Sequence, residues 1–91
     1  MLVAIIARDR PGSLELRKAR REAHLAYLES SGEMVRLAGP LMDEAGAMCG
    51  SLLVLEVEDM QAARDWAAED PYAKAALFQS VEIHAWKKVI G

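Results

Sequence analysis

Two residues far apart in the chain, His24 and Asp70, are of the types that proton-transfer chemistry needs. An imidazole takes up and returns protons near neutral pH, and a carboxylate bonded to it orients the ring and stabilises its cation. His24 falls in Arg21-Glu22-Ala23-His24-Leu25, inside a segment whose spacing predicts a helix. Asp70 opens Asp70-Pro71-Tyr72, directly after a second predicted helix. Asp followed by Pro is also a helix-capping pair, because the carboxylate accepts backbone N–H bonds and proline has no donor to lose. The two roles are compatible, since a capping carboxylate is held in one direction.

Other polar residues surround this pair in the reading. Arg21 lies three residues before His24 and Arg17 seven before, on one helical stripe. These cations would hold an anionic substrate beside the imidazole, and Arg21 or Arg8 would steer a carboxylate or enolate oxygen. Ser51 offers a hydroxyl to a ligand, or is an ordinary strand-entry residue. A Ser51–His24–Asp70 triad can be written down, yet no nucleophile-elbow pattern supports it. Tyr72 would wall a pocket or donate its phenol, with packing as the plainer role. His84 sits on a predicted strand beside Trp86 and reads as a surface residue. Two histidines without paired spacing make no metal motif, and no glycine-rich phosphate loop is present. The single cysteine, Cys49, allows neither an intrachain disulfide nor a site built from several thiolates. The expectation is therefore an activity with no metal and no cofactor.

The elements that must position these groups can be read from the hydrophobic pattern. Leu2 to Ala7 is an aliphatic run that reads as a buried strand, closed by the turn signal Arg8-Asp9-Arg10-Pro11-Gly12. Ser13 is placed to cap a helix that runs to about Ser30, with Gly32 at its C-terminal end. Leu16, Ala19, Ala23 and Tyr27 form an apolar stripe on it, and Arg17, Arg21, His24 and Leu28 an adjacent one. Met34 to Met42 reads as a second strand, with Gly39-Pro40 marking an end, an edge or a bulge. After a loop from Asp43 to Gly46, Cys49 to Glu58 forms a third strand. Asp59 caps a helix from Met60 to Glu69 that buries Met60, Ala63, Trp66 and Ala67. A short helical turn from Tyr72 to Leu77 leads to a fourth strand, Val81 to Val89. The order β-α-β-β-α-β is that of a ferredoxin-like α+β sandwich, an antiparallel four-stranded sheet with helices on one face. The other face is left open, so two sheets packed face to face would make a dimeric α+β barrel.

Composition narrows the classes of partner. A chain of 91 residues makes a single domain, and with 53% hydrophobic but only 5% aromatic residues its core must be built from Ala, Leu, Val, Ile and Met. A small aliphatic core of this kind favours a homodimer or larger homo-oligomer. The net charge of −3 disfavours nucleic acid and anionic membranes. No apolar run is long enough to span a bilayer, and the apolar N-terminal stretch is too short for a signal sequence, so the cytoplasm is the expected compartment.

Taken in order, Ser13-Leu14-Glu15, Arg17, Arg21, His24-Leu25, Gly39-Pro40, Gly50-Ser51, Ala67, Asp70-Pro71-Tyr72 and Lys87-Lys88-Val89 resemble the YCII-related family over almost the whole chain. The loop from Asp43 to Met48 departs from the pattern by being short. The resemblance implies a ferredoxin-like subunit assembled as a dimeric α+β barrel, similar in fold to muconolactone isomerase. It also implies a His–Asp active site at His24 and Asp70, with lyase or dehydrochlorinase activity on ring compounds among relatives. Two functions follow: a cofactor-free acid/base enzyme acting on a small organic acid or ring compound, or a non-catalytic small-molecule-binding or accessory dimer. A third reading, an interaction protein whose dimer is its whole purpose, predicts no pocket near His24.

Overall fold

A computed structural model describes all residues from Met1 to Gly91. The chain runs β1 (Leu2–Asp9), α1 (Leu14–Ser30), a single 3-10 turn (Gly32–Met34), β2 (Val35–Met42), β3 (Met48–Glu56), α2 (Met60–Glu69), α3 (Pro71–Lys74) and β4 (Phe78–Trp86). The strands form one antiparallel sheet in the order β2-β3-β1-β4. The helices cover one face of it, so the architecture is the ferredoxin-like α+β sandwich.

The alternation of β1 sets what each face carries. Val3, Ile5 and Ala7 are buried, and their partners across the β1–β3 ladder are Leu55, Leu53 and Ser51. Ala63 and Trp66 of α2 close over the lower part of this layer. Each fully buried aliphatic side chain there contributes about 1.5–3 kcal/mol. At Gly50 the β1 and β3 backbones pass so closely that a Cβ would run into the carbonyl oxygen of Ala7.

Helix ends follow local chemistry with one difference from expectation. Asp59 caps α2 by accepting from the Ala62 N–H at 2.8 Å, and Asp70 caps α3 by accepting from the Tyr72 N–H at 2.9 Å. Ser13 stands at the N-cap of α1 but its hydroxyl makes no capping bond, since its backbone sits at φ −107°, ψ 14° instead of the extended conformation. Gly32 follows α1 at φ +59°, a conformation suited to glycine.

Two strand boundaries also move, those of the last strand and of the third, which runs Met48–Glu56 instead of to Glu58. The last strand begins at Phe78 and ends at Trp86, so Lys87 to Val89 lie outside it. β2 continues through Gly39-Pro40 because it is an edge strand, where proline's missing donor costs no ladder bond. No helix is long and apolar enough to cross a membrane.

Candidate active site

The site begins with the inward stripe of α1. Its two buried side chains are Arg17 and His24, seven residues apart and so on one face two turns along. Ala19 and Ala23, on the stripe that reads as more apolar, face solvent. A methyl group gains little from burial, whereas Arg17 and His24 each meet a fixed polar partner inside, so these two polar side chains turn inward beside the half-buried Leu16, Tyr27 and Leu28, and the other charged residues of the helix stay exposed.

His24 is 6% exposed and Asp70 2%. His24 Nδ1 lies 2.9 Å from Asp70 Oδ1, the same oxygen that accepts the Tyr72 N–H at 2.9 Å. Aspartate accepts only, so with an ionised Asp70 the His24 Nδ1 carries the hydrogen. Nε2 has no protein partner, and no buried side-chain nitrogen or oxygen lacks one, so Nε2 is open to the cavity described below. The Tyr72 ring stacks on the imidazole at 4.0 Å with 15° between planes, and Phe78 packs edge-on against Tyr72. Capping, stacking and the hydrogen bond to Asp70 together leave His24 one orientation.

A second buried pair stands beside the first. Arg17 Nε and Nη2 donate to the two carboxylate oxygens of Asp9 at 2.6 and 2.9 Å, and Nη2 also donates to Ser51 Oγ at 2.8 Å. The guanidinium carbon sits 4.5 Å from the centre of the Tyr72 ring. Burial alone would pull the Arg17 pKa down, but its bonds and attraction to Asp9, with help from Tyr72, hold it above its ordinary value. Burial pushes the Tyr72 phenol above its usual pKa against the pull of Arg17 and Arg21, so the hydroxyl keeps its proton at neutral pH.

These groups end at a cavity of about 130 Å³. Arg17, Arg21, His24, Ser51 and Tyr72 supply its polar wall, and Leu25, Leu28, Ala38 and Met48 its apolar one, with Gly39-Pro40 of β2 at the side. A larger open groove, about 540 Å³ between α1 and α3, is lined by Arg20, Tyr27, Glu69 and Lys74 among others. We place the site in the smaller cavity, because the buried polar network ends there. No group of three or more His, Cys, Asp and Glu side chains converges as a metal site would require.

Of the residues singled out from the sequence, His24, Asp70, Tyr72, Ser51 and Arg21 come together. Arg8 does not. It follows Ala7 in a strand that alternates, so it is exposed on the opposite face of the sheet, paired with Gly50 and Ser80, and does not line the cavity. The Ser51–His24–Asp70 triad does not form either: Ser51 bonds Arg17 and makes no bond to His24. Arg17 is not a free cation for substrate, since Asp9 already neutralises it. Asp9 belongs to the turn signal in the sequence but ends β1 in the structure, and its place after Ile5 and Ala7 on the buried face of that strand is the sequence signal for its partnership with Arg17. His84 is exposed beside Glu82, as its strand position suggested.

The model of the YCII-related domain matches residues 1–87. The chain belongs to the YCII-related family. Among its relatives is an uncharacterised Haemophilus influenzae protein, 41% identical over 97 aligned residues that cover 98% of this chain and 99% of that one. Another is protein YciI of Escherichia coli, 39% identical with the same coverage. Among solved structures, the 5-chloro-2-hydroxyhydroquinone dehydrochlorinase of Burkholderia phenoliruptrix, in complex with 2,5-dihydroxybenzoquinone, superimposes with a TM-score of 0.91 at 36% identity, covering 96% of this chain and 94% of that one. The Mycobacterium tuberculosis protein Rv0793, at 16% identity with full coverage of both chains and a TM-score of 0.57, shares the fold alone. This YCII-related chain is thus similar both to an uncharacterised protein and to a dehydrochlorinase.

Proposed function

We propose that this YCII-related protein is an acid/base enzyme that uses a His24–Asp70 pair to move a proton on a small, single-ring carbonyl compound. The observation that carries the reading is the 2.9 Å contact of His24 Nδ1 with a buried carboxylate while Nε2 is left open to a cavity. The volume supports one ring: about 130 Å³ is close to the roughly 150 Å³ cavity known to take up benzene. The similarity to a dehydrochlorinase holding a dihydroxybenzoquinone points the same way.

In this mechanism His24 Nε2 accepts a proton from the ring carbon next to a carbonyl. The C–H electron pair moves into the ring and the carbonyl oxygen gains negative charge. Asp70 stabilises the imidazolium so formed. A chlorinated hydroquinone reacts as its diketo (cyclohexenedione) tautomer, in which the C–H and C–Cl carbons are both saturated: the enolate pair re-forms the carbonyl while chloride leaves the neighbouring carbon with its bonding electrons, so the net loss is HCl and a quinone remains. From an unchlorinated ring, His24 returns the proton to a different carbon, and the outcome is an isomerisation. Arg21, on the rim and without a salt-bridge partner, draws an anionic ring in and holds it.

A homodimer belongs to the same reading. On the sheet face away from the helices, Leu37 is 63% exposed, and Leu52 and Trp86 are also exposed. Such a face needs cover, and a second copy laid on it would complete an α+β barrel.

The test is chloride release from 5-chloro-2-hydroxyhydroquinone by wild-type and His24→Ala protein. The expected result is turnover that the variant lowers at least ~100-fold, the usual span of general-base catalysis being about 10²–10⁴. Equal rates in the two proteins would refute it. Thermal stabilisation by ring compounds with none consumed would favour the non-catalytic binding reading instead.

A further inference from the structure

We infer that Ser51 is a catalytic hydrogen-bond donor: its hydroxyl, turned into the cavity by the Arg17–Asp9 pair, binds the ring oxygen on which negative charge develops. The inference rests on the ring-compound reading above and names the group that reading leaves open, the one that receives the oxyanion.

The argument is one of donors and acceptors. A guanidinium has N–H donors and no acceptor, and it stays protonated. The 2.8 Å contact between Arg17 Nη2 and Ser51 Oγ therefore runs one way, with serine accepting. Arg17 cannot swing away, because both its Nε and its Nη2 are bonded to the Asp9 carboxylate and it is only 2% exposed. Ser51 is equally enclosed, at 2% exposure, and its hydroxyl donates to no protein group. One lone pair is committed to Arg17, and the single O–H is left with no acceptor except what enters the cavity that Ser51 lines.

Position makes this donor useful. Ser51 comes from β3 and His24 from α1, so a ring in the cavity meets a proton acceptor from the helix layer and a proton donor from the sheet. A hydroxyl whose oxygen already accepts from a cation is polarised toward donation. It is thereby a poor nucleophile, and its role is to hold charge in place, as pre-aimed donors do for a developing oxyanion. The matching ligand is a ring with an exocyclic C=O or C–O⁻ on the side facing β3; a ring bearing only hydrogen or chlorine there would leave the Ser51 donor unpaired. No covalent bond to Ser51 forms, and no electron or proton leaves it. Arg17 acts through Ser51, as a positioning residue.

Two experiments decide the matter. The first is a neutron structure of the deuterated, ligand-free protein. The deuterium on Ser51 Oγ should point into the cavity, away from Arg17; a deuterium donated to a protein carbonyl would overturn the inference. The second is calorimetric titration with 2,5-dihydroxybenzoquinone. Ser51→Ala should weaken binding about 10- to 100-fold, the range for one hydrogen bond to a charged acceptor, and an unchanged Kd would overturn it. The Asp9→Leu/Arg17→Met double variant should weaken binding in the same way and add nothing when combined with Ser51→Ala. Additive losses would overturn the positioning role of Arg17. If wild-type protein does not bind the quinone, the ring-compound reading fails, and the deuterium position still decides the role of Ser51.

Discussion

Asp70→Asn isolates the charge of the site from its geometry. Asparagine keeps an Oδ1 that can still accept the Tyr72 N–H and the His24 Nδ1–H, both now made by one aspartate oxygen at 2.9 Å. The cap on α3 and the orientation of the ring therefore survive, and only the negative charge beside the imidazolium is lost. With the charges spread over a ring and a carboxylate, about 4 Å apart, the attraction is roughly 4 kcal/mol at an effective dielectric constant of 20. Water reaching the cavity side of the ring reduces that, so we take ~3–4 kcal/mol, or about 10²–10³ in rate at 1.36 kcal/mol per decade. The assay is steady-state chloride release, with urea unfolding run alongside to show that stability changes by less than ~1 kcal/mol, the size of a lost cap. The fall should appear in kcat, because the imidazolium exists only after proton transfer. A variant with kcat within tenfold of wild type would refute the argument that the carboxylate works by its charge. A variant that unfolds would refute the claim that asparagine can serve in its place at the cap.

Arg17→Met alone should destabilise the protein by about 3–5 kcal/mol, since it leaves the buried Asp9 carboxylate unpaired; urea unfolding should show most of that loss recovered in Asp9→Leu/Arg17→Met. In the proposed homodimer, Leu52→Glu on the open sheet face should raise the dissociation constant at least ~100-fold, because two-fold symmetry buries the added carboxylate twice; sedimentation velocity reads this directly, and a wild-type monomer or an unaffected dimer would refute that face as the interface. Alkaline stability should reflect Tyr72. Its folded pKa lies above the ordinary value near 10, so the folded state holds the proton longer and stability falls as pH rises from about 10 through the folded value. Denaturation midpoints at pH 9 and 11 should accordingly drop less in Tyr72→Phe than in wild type.

The elements were legible because each is announced locally. An aliphatic run ending in Arg-Asp-Arg-Pro-Gly is a strand and its turn, Asp59 and Asp70 cap the helices that follow them, and the β-α-β-β-α-β order leaves few topologies. Of the readings open for Gly39-Pro40, the sheet edge is the one that holds, since proline there costs no ladder bond; a boundary slipped where a pairing partner decides it, β4 beginning at Phe78 because β1 is long enough to pair with it.

The amino-acid sequence by itself determined the inventory: one imidazole and one carboxylate on separate helices, their capping and stacking neighbours, and a sheet whose alternation permits only certain side chains to meet. Tertiary structure alone decided which charges are spent on one another. Arg17 and Arg21 look alike on the helix, but Asp9 reaches Arg17 across the turn and removes it from the substrate's reach, while Arg21 stays on the rim. Arg8 and Ser51 both looked like ligand contacts, but one register places Ser51 opposite Ala7 on the helix side and Arg8 on the other. Those outcomes turn on contacts between residues 8 to 46 positions apart, made at distances near 3 Å. Local propensity carries no information at that range, because a one-residue slip of a strand exchanges its two faces.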